Sequence, residues 1–190
     1  MRTFIKNYVQ GCGPCQQFKI NQSPSHPVLM PIESAKTTCP FAHCSMDLIT
    51  DLPPVEGFDS ILVMVDQGLS KGVILIPCTK TLTAEGAAQL LLDNLYKRFG
   101  LPDRIISDHG PQFAARAFQE IMKLLGITSA LTTDYHPQSD GATEQVNQEI
   151  EAYLSIYCSS HPEEWLKSLT ILEFTYNNQR HADRTHTCLN

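Results

Sequence analysis

From residue 44 onward, short apolar runs are separated by segments rich in turn-forming residues. The runs CSMDLIT (44–50), SILVMVD (60–66) and GVILIPC (72–78) have the length and composition of strands. Three consecutive runs of this kind predict an antiparallel meander.

The pattern then changes to an alternation of amphipathic helices and short strands. Helices are predicted at 83–100, 113–126, 143–158 and 162–178, and strands at 104–108 and 127–133. The polar segment DYHPQSDGA (134–142) is predicted to be a loop. This element order predicts an α/β protein of the ribonuclease H-like fold, with a five-stranded mixed sheet flanked by helices.

The first 40 residues do not follow this pattern. Residues 21–40 contain four prolines and little periodicity, which indicates an extended linker. We therefore expect a small N-terminal piece at 1–20, a linker at 21–40 and a main domain at 41–190. Within the first piece, FIKNYVQ (4–10) has a helical pattern.

Composition narrows the class of protein. With 42% hydrophobic and 18% charged residues, the chain of 190 residues is globular, and no apolar run approaches a membrane span. The N-terminus has no signal-peptide pattern, so we expect an intracellular protein without membrane partners. The net charge of −6 argues against binding nucleic acid by bulk positive charge, but it is compatible with a local groove or a metal site.

Three acidic residues occupy positions suited to a metal-dependent phosphoryl-transfer site. Asp47 lies inside an apolar strand, where a charge is costly unless it faces a cleft or a cation. Asp108 ends the fourth strand, and Glu144 begins a helix. Their carboxylates would suit two Mg²⁺ ions that activate a water or a 3′-hydroxyl. Spacing alone leaves other acids open, namely Asp51, Asp59, Asp66, Asp134 and Asp140.

Several separate segments carry a family resemblance. MDLITDLPPVEGFDSILVMVD, FGLPDRIISDHGPQF, YHPQSDGATEQVNQEIEAYL and EEWLKSLTILEFTYNN closely resemble the integrase core of gypsy-class LTR retrotransposons, in the retroviral-integrase superfamily. That family carries Asp, Asp and Glu with 35 residues between the last two, as between Asp108 and Glu144 here. The segment VDQGLSK, by contrast, departs from the family's basic-aromatic pattern.

The resemblance implies a polynucleotidyl transferase that trims the 3′ ends of element DNA and joins them to target DNA in the nucleus. Asp47, Asp108 and Glu144 would be its catalytic metal ligands for Mg²⁺ or Mn²⁺, with two ions when DNA is bound. The loop at 135–142 would be mobile, and Tyr135, Gln138 and Asn147 would contact DNA. A homo-oligomer is implied as well.

The pair Cys12 and Cys15 has two interpretations. A thioredoxin-like dithiol follows a strand, whereas the residues before Cys12 are predicted to be helical. The resemblance implies instead that the pair is half of a His-His-Cys-Cys zinc module. A zinc site needs four ligands, and no histidine precedes Cys12. His26 or His43 could substitute, but nothing in the spacing favours either, so we expect an incomplete half-site that holds no zinc.

The sequence leaves two functions open besides an active transferase. One is an inactive element-derived nucleic-acid-binding or scaffold protein, and the other is a different nuclease on the same fold. Divalent-metal binding separates the first from the second, and joining of a DNA 3′ end separates the first from the third.

Overall fold

The computed structural model describes residues 2–12, 39–107, 110–131 and 137–179. Helix α1 (Arg2–Gly11) is followed by the strands β1 (His43–Ile49), β2 (Ser60–Asp66) and β3 (Val73–Cys78). The chain continues with α2 (Ala84–Leu91), β4 (Arg104–Ser107), α3 (Pro111–Ala114), α4 (Arg116–Leu124), β5 (Thr128–Leu131), α5 (Pro137–Tyr157) and α6 (Trp165–Asn178). In these ranges no helix has the length and apolarity needed to cross a membrane.

The five strands form one mixed sheet in the order β3-β2-β1-β4-β5. Strand β2 pairs antiparallel with β1 and β3, while β4 pairs parallel with β1 and β5. The meander and the helix-linked parallel strands are therefore as predicted, and the ribonuclease H-like fold class is confirmed.

Helices cover both faces of the sheet, because its central strands are apolar on both sides. On one face Met46, Leu62 and Met64 pack against side chains that include Leu91 and Phe118. The opposite face packs against α5 and α6, with Ile61, Val63, Ile150, Trp165 and Leu172 among its buried residues. The result is a three-layer α/β/α arrangement.

Helix α5 begins earlier than the sequence pattern predicts. Residues 137–142 are helical, so their assignment to a loop is wrong. Proline suits the first helical position because its fixed φ is already helical and its missing N–H would have no helical acceptor there. Gly141 costs only about 1 kcal/mol relative to alanine inside a helix.

Two predicted helices are interrupted in the structure. After α2 the helix continues through a π-helical turn, Leu92–Tyr96, and a last turn, Lys97–Phe99, before Gly100 ends it at a φ of 88°. The helix predicted at 113–126 is divided at Ala115, whose ψ of 134° is not helical. Helix α1 confirms the helical pattern ahead of Cys12, whereas the predicted linker falls mostly outside the described residues.

Strand β3 is an edge strand, and α6 covers its open edge. The Asn177 amide accepts a hydrogen bond from the Val73 N–H at 2.8 Å and donates one to the Val73 carbonyl at 2.9 Å. Glu173, one helical turn earlier, accepts from the Leu75 N–H at 2.9 Å. These side chains satisfy backbone groups that would otherwise be available for pairing with another chain.

We expect Asn177→Ala to lower the free energy of unfolding by about 1–3 kcal/mol, because it leaves an N–H and a carbonyl of a buried residue unpaired. Urea denaturation followed by circular dichroism measures the change. Asn178→Ala is the matched control, since the described hydrogen bond of that side chain lies within its own helix, to the Phe174 carbonyl. Equal midpoints for the two variants would contradict the structural role of Asn177.

Candidate active site

Asp47 lies near the middle of β1 and is half-buried. Its Oδ1 accepts a hydrogen bond from the Leu48 N–H at 2.8 Å, and its Oδ2 accepts one from the Asn147 side-chain amide at 2.6 Å. Since an ionised carboxylate only accepts, the Asn147 NH₂ group faces Asp47. The Asn147 oxygen is buried and has no hydrogen-bond partner among the described residues.

Helix α5 makes a second polar contact with β1. The hydroxyl groups of Thr143 and Ser45 are hydrogen-bonded at 2.8 Å, and both residues are buried. Glu144 directly follows Thr143 in this helix, so its backbone lies in the turn between the two contacts. The Glu144 side chain is outside the described part of the structure, as is that of Gln138.

Strand β4 brings a second part of the chain beside β1. In the parallel register Ser107 pairs with Met46, the residue before Asp47. Asp108 is the next residue along the chain and, like Tyr135, lies outside the described residues. The predicted roles of Asp108, Glu144, Tyr135 and Gln138 therefore stay predictions, while Asp47 and Asn147 are in direct contact.

Three of the alternative acids have structural partners. Asp51 forms an ion pair with Lys80 at 2.6 Å, and this hydrogen bond lowers the pKa of the exposed carboxyl. Asp59 accepts from the Ser60 hydroxyl at 2.9 Å and from the Lys80 N–H at 2.6 Å. Asp134 and the Asp140 side chain are not among the described groups.

Asp66 is the most completely enclosed of these acids. It is fully buried, and it accepts hydrogen bonds from the Gly68 N–H at 2.9 Å, the Ser70 N–H at 2.7 Å and the Ser70 hydroxyl at 2.6 Å. Its carboxylate therefore organises the turn between β2 and β3. Burial raises the pKa of the neighbouring Cys44 thiol, and the negative charge of Asp66 raises it further.

The cysteines of the sheet have the character of core residues. Burial raises the pKa of Cys78 to about 11, so this thiol is protonated at neutral pH. Cys12 is half-buried after α1, and Cys15 lies outside the described residues. Within the part that is described, no three His, Cys, Asp or Glu side chains come together as a metal site.

A family comparison decides what kind of domain this is. The profile of the family described as "Integrase core domain" matches residues 37–137. The chain belongs to the integrase core family. A curated relative, the transposon Tf2-3 polyprotein of Schizosaccharomyces pombe (strain 972 / ATCC 24843), is 35% identical over 183 residues, which is 96% of this chain. The integrase core spans only 13% of the length of that polyprotein.

Solved structures share the fold of this integrase core. The HTLV-2 integrase catalytic core domain, in complex with magnesium in a trimeric form, gives a TM-score of 0.60 at 20% identity, covering 80% of this chain and 96% of that one. A chain of the simian T-cell lymphotropic virus intasome, in complex with PP2A regulatory subunit B56 gamma, gives a TM-score of 0.67 at 23% identity, covering 100% of this chain and 66% of that one.

Sequence reasoning missed the residues that connect α5 to β1 in this integrase core. Ser45 and Thr143 are small polar residues without a distinctive spacing, and they meet across 98 positions of sequence. Gln67 lies in the segment that departs from the family's basic-aromatic pattern, and its side-chain amide donates a hydrogen bond to the Ser45 hydroxyl at 2.7 Å. The available signal was that Ser45 shares the sheet face of Asp47, since side chains two apart on a strand point the same way.

We expect Asp66→Asn to lower the free energy of unfolding by about 1–3 kcal/mol, because one carboxylate acceptor becomes an NH₂ group that faces buried donors. Thermal and urea unfolding measure the change. Asp51→Asn is the control, and we expect its midpoint to match the wild type because exposed ion pairs contribute little. A wild-type midpoint for Asp66→Asn would show that the enclosed carboxylate does not stabilise the turn.

Proposed function

We propose that this integrase core is a divalent-metal-dependent polynucleotidyl transferase that trims DNA 3′ ends and joins them to target DNA. Asp47, Asp108 and Glu144 are its catalytic residues in this proposal. The observation that carries it is the direct contact between Asp47 and Asn147, because Asn147 lies three residues after Glu144 on the same helix. Residues three apart on a helix are neighbours on its surface.

The register of β4 supports the same assignment. Ser107 pairs with Met46, so the residues that precede Asp108 and Asp47 are partners in adjacent strands. Carboxyl ends of neighbouring parallel strands commonly form the edge of a sheet at which ligands bind. The proposal therefore draws one acid from each of β1, the end of β4 and α5.

The donor set at Asp47 fits a hard cation. Asp47 supplies carboxylate oxygens, and the buried Asn147 oxygen beside it is one more oxygen atom without a described partner. Mg²⁺ and Mn²⁺ prefer oxygen ligands of this kind. Bound divalent ions, two when DNA is present, would activate the attacking water or 3′-hydroxyl and stabilise the leaving oxygen.

In this mechanism the protein residues hold the metal ions and orient the DNA. None of them needs to form a covalent bond to DNA. The Leu48 N–H and the Asn147 amide fix both oxygens of Asp47, so that its carboxylate is preorganised. Asn147 keeps its proposed place beside the DNA, together with Tyr135 and Gln138. Gln145 is exposed on α5 and adds no positive charge to hold phosphate there.

Further parts of the proposal come from the family. An activity on element DNA favours a location in the nucleus, and Cys12 and Cys15 are proposed as half of a zinc site. A homo-oligomer is supported by the exposed apolar side chains of Ile171 and Phe174, at 59% and 62%, which lie three apart on α6.

We expect Asp108→Asn and Asp47→Asn to abolish Mn²⁺ binding in calorimetry and joining of a duplex with a recessed 3′-hydroxyl to plasmid DNA. Both substitutions remove a carboxylate charge while keeping the side-chain shape. Asp51→Asn, whose carboxylate is paired with Lys80, is the control and should retain both activities.

The outcomes separate the competing functions. A wild-type chain that neither binds Mn²⁺ nor processes DNA would be a scaffold or binding protein. Hydrolysis without joined product would make it a nuclease. Joining that survives Asp108→Asn would contradict the assignment of that residue.

We expect Phe174→Glu to shift the protein towards monomer in analytical ultracentrifugation, because a charge on the apolar side of α6 opposes burial against a second copy. Leu124→Glu is the control, since Leu124 is 87% exposed on α4, well away in sequence from α6. An unchanged assembly state for Phe174→Glu would exclude this face from the oligomer.

A further inference from the structure

A polar cluster with two buried hydroxyl groups lies beside Asp47. It consists of Ser45 on β1, Thr143 on α5 and Gln67 after β2. The Gln67 side-chain amide donates to the Ser45 hydroxyl at 2.7 Å and approaches the Thr143 hydroxyl at 3.3 Å, while the two hydroxyls bond to each other at 2.8 Å. Ser45 is 3% and Thr143 is 8% exposed.

The cluster and the Asp47–Asn147 contact together form a two-point attachment. Thr143 and Asn147 are four residues apart on α5, which is an advance of about 6.0 Å along a helix. Ser45 and Asp47 are two residues apart on β1, which is about 6.6 Å along a strand. Because the two spacings match, both contacts form at once, and sliding α5 by one turn would break both.

Two hydrogen bonds of its own backbone fix the position of Gln67. Its N–H donates to the His43 carbonyl at 2.8 Å, and its own carbonyl accepts from the Lys71 ammonium group. The adjoining turn is fixed by the enclosed carboxylate of Asp66. The Gln67 amide is therefore preorganised to donate to the two hydroxyl groups.

We propose that Ser45, Thr143 and Gln67 are positioning residues, which hold the turn of α5 that carries Glu144 in register with Asp47. This inference rests on the proposed function, because positioning matters only if Asp47 and Glu144 share metal ions. It assigns a role to Gln67, which departs from the family's basic-aromatic pattern: a neutral donor at this position connects three elements without adding charge beside the acids.

The test compares Thr143→Val with Thr143→Ser in the full chain. Valine keeps the shape of threonine but removes the hydroxyl, whereas serine keeps the hydroxyl. Thr170→Val is the matched control, because Thr170 is an exposed threonine on α6. Gln67→Met is a second variant, which removes the donor without touching α5 and keeps the test valid if Thr143→Val folds poorly.

Two readouts are measured: hydrogen exchange of peptides covering residues 140–148, and Mn²⁺ affinity by calorimetry. We expect Thr143→Val and Gln67→Met to raise exchange in those peptides about three- to tenfold, as for the loss of one buried hydrogen bond. Mn²⁺ affinity should fall about tenfold, as when a residue that orients a metal ligand is lost. Thr143→Ser and Thr170→Val should match the wild type in both.

Wild-type behaviour of Thr143→Val and Gln67→Met in either readout would overturn the positioning role while leaving the proposed function intact. Faster exchange with unchanged Mn²⁺ affinity would likewise overturn it, since the cluster would then be structural only. If the wild-type chain itself binds no Mn²⁺, the proposed function is overturned instead. The wild-type measurement gives this result independently of the variants.

Discussion

The register between β1 and α5 is the constraint on which the arrangement of this site depends. Two polar contacts, Ser45–Thr143 and Asp47–Asn147, set the helix along the strand, and apolar side chains such as Ile150 complete the contact with the sheet. Apolar packing alone is non-directional and tolerates sliding, whereas paired hydrogen bonds at matched spacing select one register. Glu144 lies within the turn that these contacts fix.

The described hydrogen-bond partners of Asp47 differ from those of Asp51 and Asp66. Asp51 has a lysine, and Asp66 has three donors that enclose it. Among its described contacts, Asp47 accepts hydrogen bonds from the Asn147 amide and the Leu48 N–H. A divalent cation bound beside Asp47 would neutralise the charge of its carboxylate.

Much of the fold could be predicted because it depends on local pattern. Strand β2 was predicted with its observed bounds, since its seven residues are all buried and form an unbroken apolar run. The start of α5 was missed because a proline and a glycine in a polar segment favour loops, while here the proline begins a helix. The Ser45–Gln67–Thr143 cluster was missed because long-range hydrogen bonds between small polar residues leave no periodic signal.

The most direct test of the central claim is a structure of the chain in crystals soaked with Mn²⁺, with anomalous scattering used to locate the metal. We predict an anomalous peak in contact with the carboxylates of Asp47 and Asp108, beside the turn of α5 that carries Glu144, with the Thr143–Ser45 bond retained. Carboxylates that lie apart, with Mn²⁺ bound elsewhere or absent at saturating concentration, would contradict it.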